Sequence, residues 1–246
     1  MISKTHTKYI QSLQHKKFRD ETGEFFAEGP KTVVELLEGR RFECKELYAV
    51  GEWLAANTSL AGKYPKTAFH DIKDFELEKI SALTTPNKVL ALFKKRQQNN
   101  AASFKGKITL LLDTIQDPGN FGTIIRTADW FGVETIVCSQ NGADMYNPKV
   151  VQSTMGSLGR VNILYADLAE WIEKNNAIKT YAAGLNGKPV SSLKAIKEAA
   201  IIIGNESKGI NEELMQLVNE KITIPRNGAA ESLNAAVAAG IILAQV

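Results

Sequence analysis

Apolar and polar positions change period every few residues along this chain, and the changes predict strands and helices in alternation. An amphipathic helix is expected around Lys4–Phe18, then a short strand, Glu24–Ala27. Gly29-Pro30 opens a helix to Leu37, with proline at the first helical position and Gly39 after its end. Strands follow at Leu47–Val50, Lys66–His70 and Lys88–Phe93, separated by helices at Glu52–Asn57 and Asp74–Leu83. This is a small α/β unit. The segment KKRQQNNAASFKGK that follows is polar and unpatterned, which sets the expected boundaries at residues 1–95, a linker at 96–106, and a second domain at 107–246.

The second domain begins with Ile108–Asp113, a continuous apolar run of the kind that forms a buried parallel strand. A helix to Phe131 stops at Gly132, and strands are expected at Thr135–Cys138, Val161–Leu164, Thr180–Ala183 and Ala200–Ile203. Helices at Pro148–Met155, Leu168–Asn175 and Glu212–Leu217 lie between them. Repeated βα units imply a parallel sheet covered by helices, with ligands beyond the carboxyl ends of the strands. The last stretch joins a strand, Ile222–Ile224, through Pro225 and a polar turn to a helix over Leu233–Leu243. That helix lacks the polar face of a surface helix, so burial nearly all round is expected, with Ser232 as its N-cap.

Charge sharpens this division. The net charge is +3, but residues 1–106 carry +5 and residues 107–246 carry −2. Lys4, Lys8, Lys16, Lys17 and Arg19 precede the first acid, Asp20, and read either as a phosphate-neutralising run or as a solvated helix face. No apolar targeting core follows them, and the C-terminal apolar run is shorter than the ~20 residues of a bilayer span, so a cytoplasmic protein without membrane attachment is expected. Cys44 and Cys138 lie far apart, and the three histidines are scattered. Reduced, quiet thiols and no metal centre are expected.

Three strand-to-turn junctions carry the candidate chemistry. The first, Asp117-Pro118-Gly119-Asn120-Phe121-Gly122, leads into a helix that turns Phe121, Ile124, Ile125 and Ala128 one way and Thr123, Arg126 and Thr127 the other. The second is Ile203-Gly204-Asn205-Glu206-Ser207-Lys208-Gly209; no Lys and Ser or Thr follow Gly209, so it is not a phosphate loop, and no G-x-G occurs anywhere in the chain. The third is the turn carrying Arg226, Asn227, Glu231, Ser232 and Asn234. Each taken singly is explained by turn and cap chemistry or, for Arg126, by a surface ion pair. Residues 107–246 contain no histidine, so any chemistry there rests on Asn120, Arg126, Glu206, Ser232, Asn234 and backbone amides.

Together the three junctions resemble the three motifs of the SpoU (TrmH-like) family of RNA ribose 2′-O-methyltransferases, within the SPOUT class. Asn120-Phe121-Gly122 with Arg126 and Gly132 is similar to the first motif, Ile203-Gly204-Asn205-Glu206 with Gly209 to the second, and Ile224-Pro225 through Glu231-Ser232-Leu233-Asn234 to the third. Phe26-Ala27-Glu28-Gly29 and its helix resemble the family's N-terminal, L30e-like substrate-binding domain; Asn147-Pro148-Lys149 and Ser153–Gly159 fall where the family has a similar connecting stretch. The resemblance implies an α/β fold whose C-terminal SPOUT-type parallel sheet carries a trefoil knot, an exception to the rule that chains are not knotted. It implies S-adenosylmethionine as cofactor, held by Gly204, Ile224 and Leu233 with Ala183-Gly184 lining the same cleft, and a homodimer formed through the catalytic domain.

The implied reaction is in-line attack of a ribose 2′-hydroxyl on the sulfonium methyl, with no metal, in a frame of Asn120, Glu206, Ser232 and Asn234. The family's proposed base matches Arg126, but a guanidinium with a pKa above ~12 is better suited to holding a phosphate and the developing alkoxide. The separate N-terminal domain favours ribosomal over transfer RNA. The alternative is a non-catalytic RNA-binding or assembly protein that kept the fold. Two departures stand out: Arg226-Asn227 where the third motif usually has Met and its neighbour, and Ser207-Lys208 where Gly is common.

Overall fold

The computed structural model describes residues 1–97, 103–193 and 196–246; residues 98–102 of the expected linker lie outside them. The chain forms two compact units, one of residues 1–97 with 144–160 and one of the remainder.

In the first unit, α1 (Lys4–Ser12) and α2 (Lys16–Thr22) replace the single expected helix. The break falls at Leu13–His15, where the Arg19 guanidinium draws the Leu13 and Gln14 carbonyls to 2.9 and 2.8 Å. Arg19 is buried and ion-paired with Asp144 at 2.6 Å; Lys16 and Lys17 pair with Asp20 and Glu21 one turn on. Three of the five cations of the N-terminal run thus already have acidic partners. There follow β1 (Glu24–Glu28), α3 (Pro30–Glu38), β2 (Cys44–Val50), α4 (Gly51–Ala56), α5 (Ser59–Lys63), β3 (Ala68–Ile72), α6 (Asp74–Ile80) and β4 (Val89–Lys94). The sheet order is β1-β4-β2-β3, with β4 antiparallel to both neighbours and β2 parallel to β3. Gly29, at φ +85°, makes the turn from β1 into α3 in a conformation that residues with a Cβ rarely adopt.

The second unit comprises β5 (Ile108–Leu112), α7 (Pro118–Trp130), β6 (Thr135–Cys138), β7 (Asn162–Tyr165), α9 (Leu168–Lys174), β8 (Thr180–Pro189), β9 (Ala199–Ile203), α10 (Glu212–Leu217), β10 (Glu220–Thr223) and α11 (Ala235–Leu243). The intervening helix α8 (Pro148–Thr154) belongs to the first unit. All six strands run parallel in the order β10-β8-β9-β5-β6-β7, as the βα alternation implies. The central strands β5 and β9 are almost wholly buried. After edge strand β10 the chain doubles back, so that α11 packs on α7 and β9 near the middle of the sheet.

Two expectations are corrected by α11. Its N-cap is Asn234, whose Oδ1 accepts from the Ala236 and Val237 amides at 2.9 and 3.2 Å; Ser232 lies in the turn before it and is exposed. Nor is the helix buried all round. Ala235, Ala236, Ala239, Ile242 and Leu243 face the core, but Val237 is 50% and Ile241 36% exposed, an apolar strip that the described residues leave open. Composition shows that such a helix has no polar face; it does not show what lies against each side.

Candidate functional site

The site lies where three parallel strands end. The turn after β5 is closed by Asp117, the N-cap of α7, which accepts from the Asn120 amide at 2.7 Å and so fixes Asn120 in the first turn. The loop after β9 closes on itself: Asn205 N–H donates to the Gly209 carbonyl at 3.0 Å and Gly209 N–H returns the bond at 2.8 Å. The Asn205 side chain holds both sides of this loop. Its Oδ1 accepts from the Ser207 and Lys208 amides at 2.9 and 3.2 Å, and its Nδ2 reaches across to the Thr114 carbonyl at 2.9 Å. Sequence reasoning placed Asn205 inside a motif without a role for it; the structure makes it the clamp between the first and second junctions.

With both loops fixed, three side chains meet. Asn120 Nδ2 donates to Glu206 Oε1, Asn234 Nδ2 donates to Asn120 Oδ1 at 2.8 Å, and the same Glu206 oxygen lies 3.2 Å from Asn234 Nδ2 and 3.3 Å from the Ala235 amide. Asn234 therefore caps α11 with its oxygen and ties the three junctions together with its nitrogen. This frame is rigid: each amide group is oriented by bonds at both of its ends. Ser232 and Arg126 stand outside it. Arg126 is exposed on α7, six residues and hence about 240° of helix from Asn120, and has no hydrogen bond or ion pair among the described residues. The inner face of α7 is as expected, with Phe121, Ile124, Ile125 and Ala128 buried.

Beside the frame lies a cleft of about 660 Å³, within the range of small-molecule sites. Ala183, Gly184, Gly204, Ile224 and Leu233, the expected cofactor residues, all line it, as do Glu206 and Ser232. Its wall is mainly apolar and includes the loop after β9 and the turn after β10. A Cβ on Gly204 would lie 2.5 Å from both the Gly209 carbonyl oxygen and the Ile210 nitrogen, so only glycine lets the second loop fold this tightly. The strand expected to stop at Ala183 instead continues as β8 beyond a five-residue excursion. Lys221 pairs with Ala182, but its neighbour Ile222 pairs with Lys188, so residues 183–187 leave the sheet and form one lip of the cleft. Gly187 returns the chain to the sheet with no room for a Cβ against the Lys221 carbonyl, and Leu185, 70% exposed, stands at the tip. The pair Gly184 and Gly187 was the available sequence signal for this departure.

The residues fit a cofactor with a flat aromatic base and a charged tail: a mainly apolar wall, loop backbone at Gly204, and both signs of charge in the exposed Glu206, Lys208, Arg226 and Glu231. Arg226 donates to the Ala230 carbonyl at 3.2 Å, bracing the turn of the third junction. No cluster of His, Cys, Asp and Glu suited to a metal occurs among the described residues, and no helix among them is long and apolar enough to cross a membrane.

Comparison with known proteins falls on the same elements. Residues 107–244 match the model of the SpoU rRNA Methylase family, and residues 4–91 match that of the MRM3-like substrate binding domain. The 23S rRNA (guanosine(2553)-2′-O)-methyltransferase RlmP of Bacillus subtilis is 30% identical over 236 residues, covering 95% of this chain and 92% of that protein. Among solved structures, a TrmH-family protein from Porphyromonas gingivalis superposes with a TM-score of 0.89 at 31% identity, covering 100% of this chain and 98% of the other. An AdoMet-bound rRNA methyltransferase from Sinorhizobium meliloti gives 0.89 at 29% identity, with coverage of 100% and 95%.

Proposed function

The chain belongs to the SpoU rRNA methylase family, and from that premise we propose that it transfers the methyl group of S-adenosylmethionine to a ribose 2′-hydroxyl of ribosomal RNA. The observation that carries this reading is the Asn120–Glu206–Asn234 frame at the edge of the cleft. In-line displacement at a sulfonium needs little covalent help and much positioning, and a frame oriented at both ends supplies it. Ala183, Gly184, Gly204, Ile224 and Leu233 would hold S-adenosylmethionine, which would supply the methyl group, and Asn120, Glu206 and Asn234 would position the reacting groups beside it. Ser232, exposed at the mouth, would meet the incoming ribose. Arg126, also exposed, would hold the phosphate beside the reacting nucleotide as a cation and stabilise the developing alkoxide, with the 2′-hydroxyl proton lost late to phosphate or water and the sulfur leaving as a thioether. If an Arg126→Lys enzyme kept most of its rate and gained a new basic limb in its pH–rate profile, Arg126 would be the base instead.

Two further parts of the reading concern architecture. The return of the chain from edge strand β10 to α11 at the middle of the sheet is consistent with a C-terminal trefoil knot. The uncovered Val237 and Ile241 on α11, with Trp130 84% and Phe131 42% exposed at the end of α7, support a homodimer through this unit. A cytoplasmic setting and a division of labour between residues 1–95 and 107–246 complete it. Incubation with methyl-labelled S-adenosylmethionine and total ribosomal RNA, followed by nucleoside analysis, tests the reaction. A 2′-O-methylnucleoside is the expected product; cofactor binding with no RNA methylation would instead identify a non-catalytic RNA-binding or assembly protein.

A further inference from the structure

The first unit contains a second cleft, of about 380 Å³, which the reaction leaves without a role. Its floor is the carboxyl end of β1, Phe26–Glu28; one wall is the α1–α2 turn at Gln14 with the start of α8 at Asn147 and Gln152, and the other is Ala82-Leu83.

Buried charges hold each wall. Arg19 binds the carbonyls of the Gln14 turn and, through Asp144, the segment that starts α8: Asp144 accepts from the Tyr146 amide at 3.1 Å with Oδ1, and its carbonyl accepts from the Asn147 amide at 2.9 Å. Glu28, 5% exposed, accepts from the Ser81 hydroxyl and from the Ala82 amide at 2.9 Å, and so pins the opposite wall to β1. The cleft is therefore shaped before any ligand arrives.

Three carboxamides in its lining, by contrast, have free groups. The carboxamides of Gln14 and Gln152 and the Nδ2 of Asn147 have no hydrogen-bond partner among the described residues, while Asn147 Oδ1 caps α8 by accepting from the Lys149 amide at 2.9 Å. Carboxamides offer a donor and an acceptor side by side, the pattern that recognises the edge of a nucleobase, and the half-buried Leu83 and Pro148 offer apolar surface to its faces. We infer that this cleft takes one unstacked base of the RNA, other than that of the methylated nucleotide, and contributes to the choice of substrate. The inference rests on the reading above that the substrate is an RNA.

The test uses the full chain. Its amide resonances are followed during titration with each of the four nucleoside 5′-monophosphates and with ribose 5-phosphate, which has no base. Monophosphates of a preferred base should shift residues 26–28, 82–83 and 147–153, and ribose 5-phosphate should not. A Gln14→Ala, Gln152→Ala double variant should lose those shifts and raise the KM for ribosomal RNA about tenfold, the order of one good base contact, with kcat and cofactor affinity unchanged. Asn147→Ser, which keeps a cap acceptor but removes the amide donor, should act in the same direction without unfolding α8. Equal shifts from ribose 5-phosphate, no shifts at all, or variants with wild-type titrations and KM would overturn the assignment. A wild-type chain that methylates no RNA while still discriminating among monophosphates would defeat the reaction and leave the base pocket standing.

Discussion

Replacing Gly204 with Ala tests whether the second loop shapes the cofactor cleft. The new Cβ would lie 2.5 Å from the Gly209 oxygen and the Ile210 nitrogen, whereas ordinary contact starts at 3.4 Å, so one backbone must move by roughly 0.9 Å. Neither can move alone. Asn205 and Gly209 are joined by two reciprocal bonds, and Asn205 Nδ2 ties the loop to Thr114 at 2.9 Å. Overpacking of this kind costs about 1–3 kcal/mol, and a domain of this size loses about 2–4 °C of melting temperature per kcal/mol. Because the same backbone lines the cleft, displacement should also weaken S-adenosylhomocysteine binding by about 10- to 100-fold, the loss of one or two backbone contacts. Calorimetric titration and thermal unfolding read the two effects. Gly228→Ala is the control, since Gly228 lines the same cleft and a Cβ there meets nothing within 4 Å. A Gly204→Ala chain that melts with the wild type and binds within twofold of it would refute the reasoning.

Asn234→Ala removes both the α11 cap, worth about 1 kcal/mol, and the bonds to Asn120 and Glu206. Methyl transfer should fall about 100-fold or more, with S-adenosylhomocysteine affinity little changed; single-turnover kinetics and calorimetry separate the two. Arg19→Met leaves Asp144 without its buried partner and should cost about 3–5 kcal/mol in urea unfolding, part of which Asp144→Leu in the same chain should restore. Burial pushes the Cys44 thiol up to about 12 and raises Cys138 as well, so at pH 8 only about one Cys44 in ten thousand is thiolate. Iodoacetamide at pH 8 should label neither until the chain is unfolded in urea, and native labelling of either would show its environment to be open.

Local rules account for most of the fold. Pro30, Pro118 and Pro148 each open a helix, Gly132 follows the end of α7, and continuous apolar runs become the buried strands β5 and β9, because these signals depend on backbone sterics and on burial of one short segment. The three junctions were legible as motifs, and Asn120, Glu206 and Asn234 do meet. Their bonding was not legible, since they lie 86 and 28 residues apart and only the pairing of β9 with β5 and the return of the chain from β10 to α11 bring their loops together. For the same reason the cap fell to Asn234 rather than Ser232. Both residues suit a cap, and the choice depends on where Glu206 waits for the Ala235 amide. The N-terminal cations show the converse: a run of charges in sequence says nothing of partners 125 residues away, and Arg19 spans that distance to Asp144. Sequence determined which segments form helices and strands, and it marked the glycines and amides that could build a site. Tertiary structure alone decided which of those groups touch, because hydrogen bonds and ion pairs form between neighbours in space, which the sheet order sets.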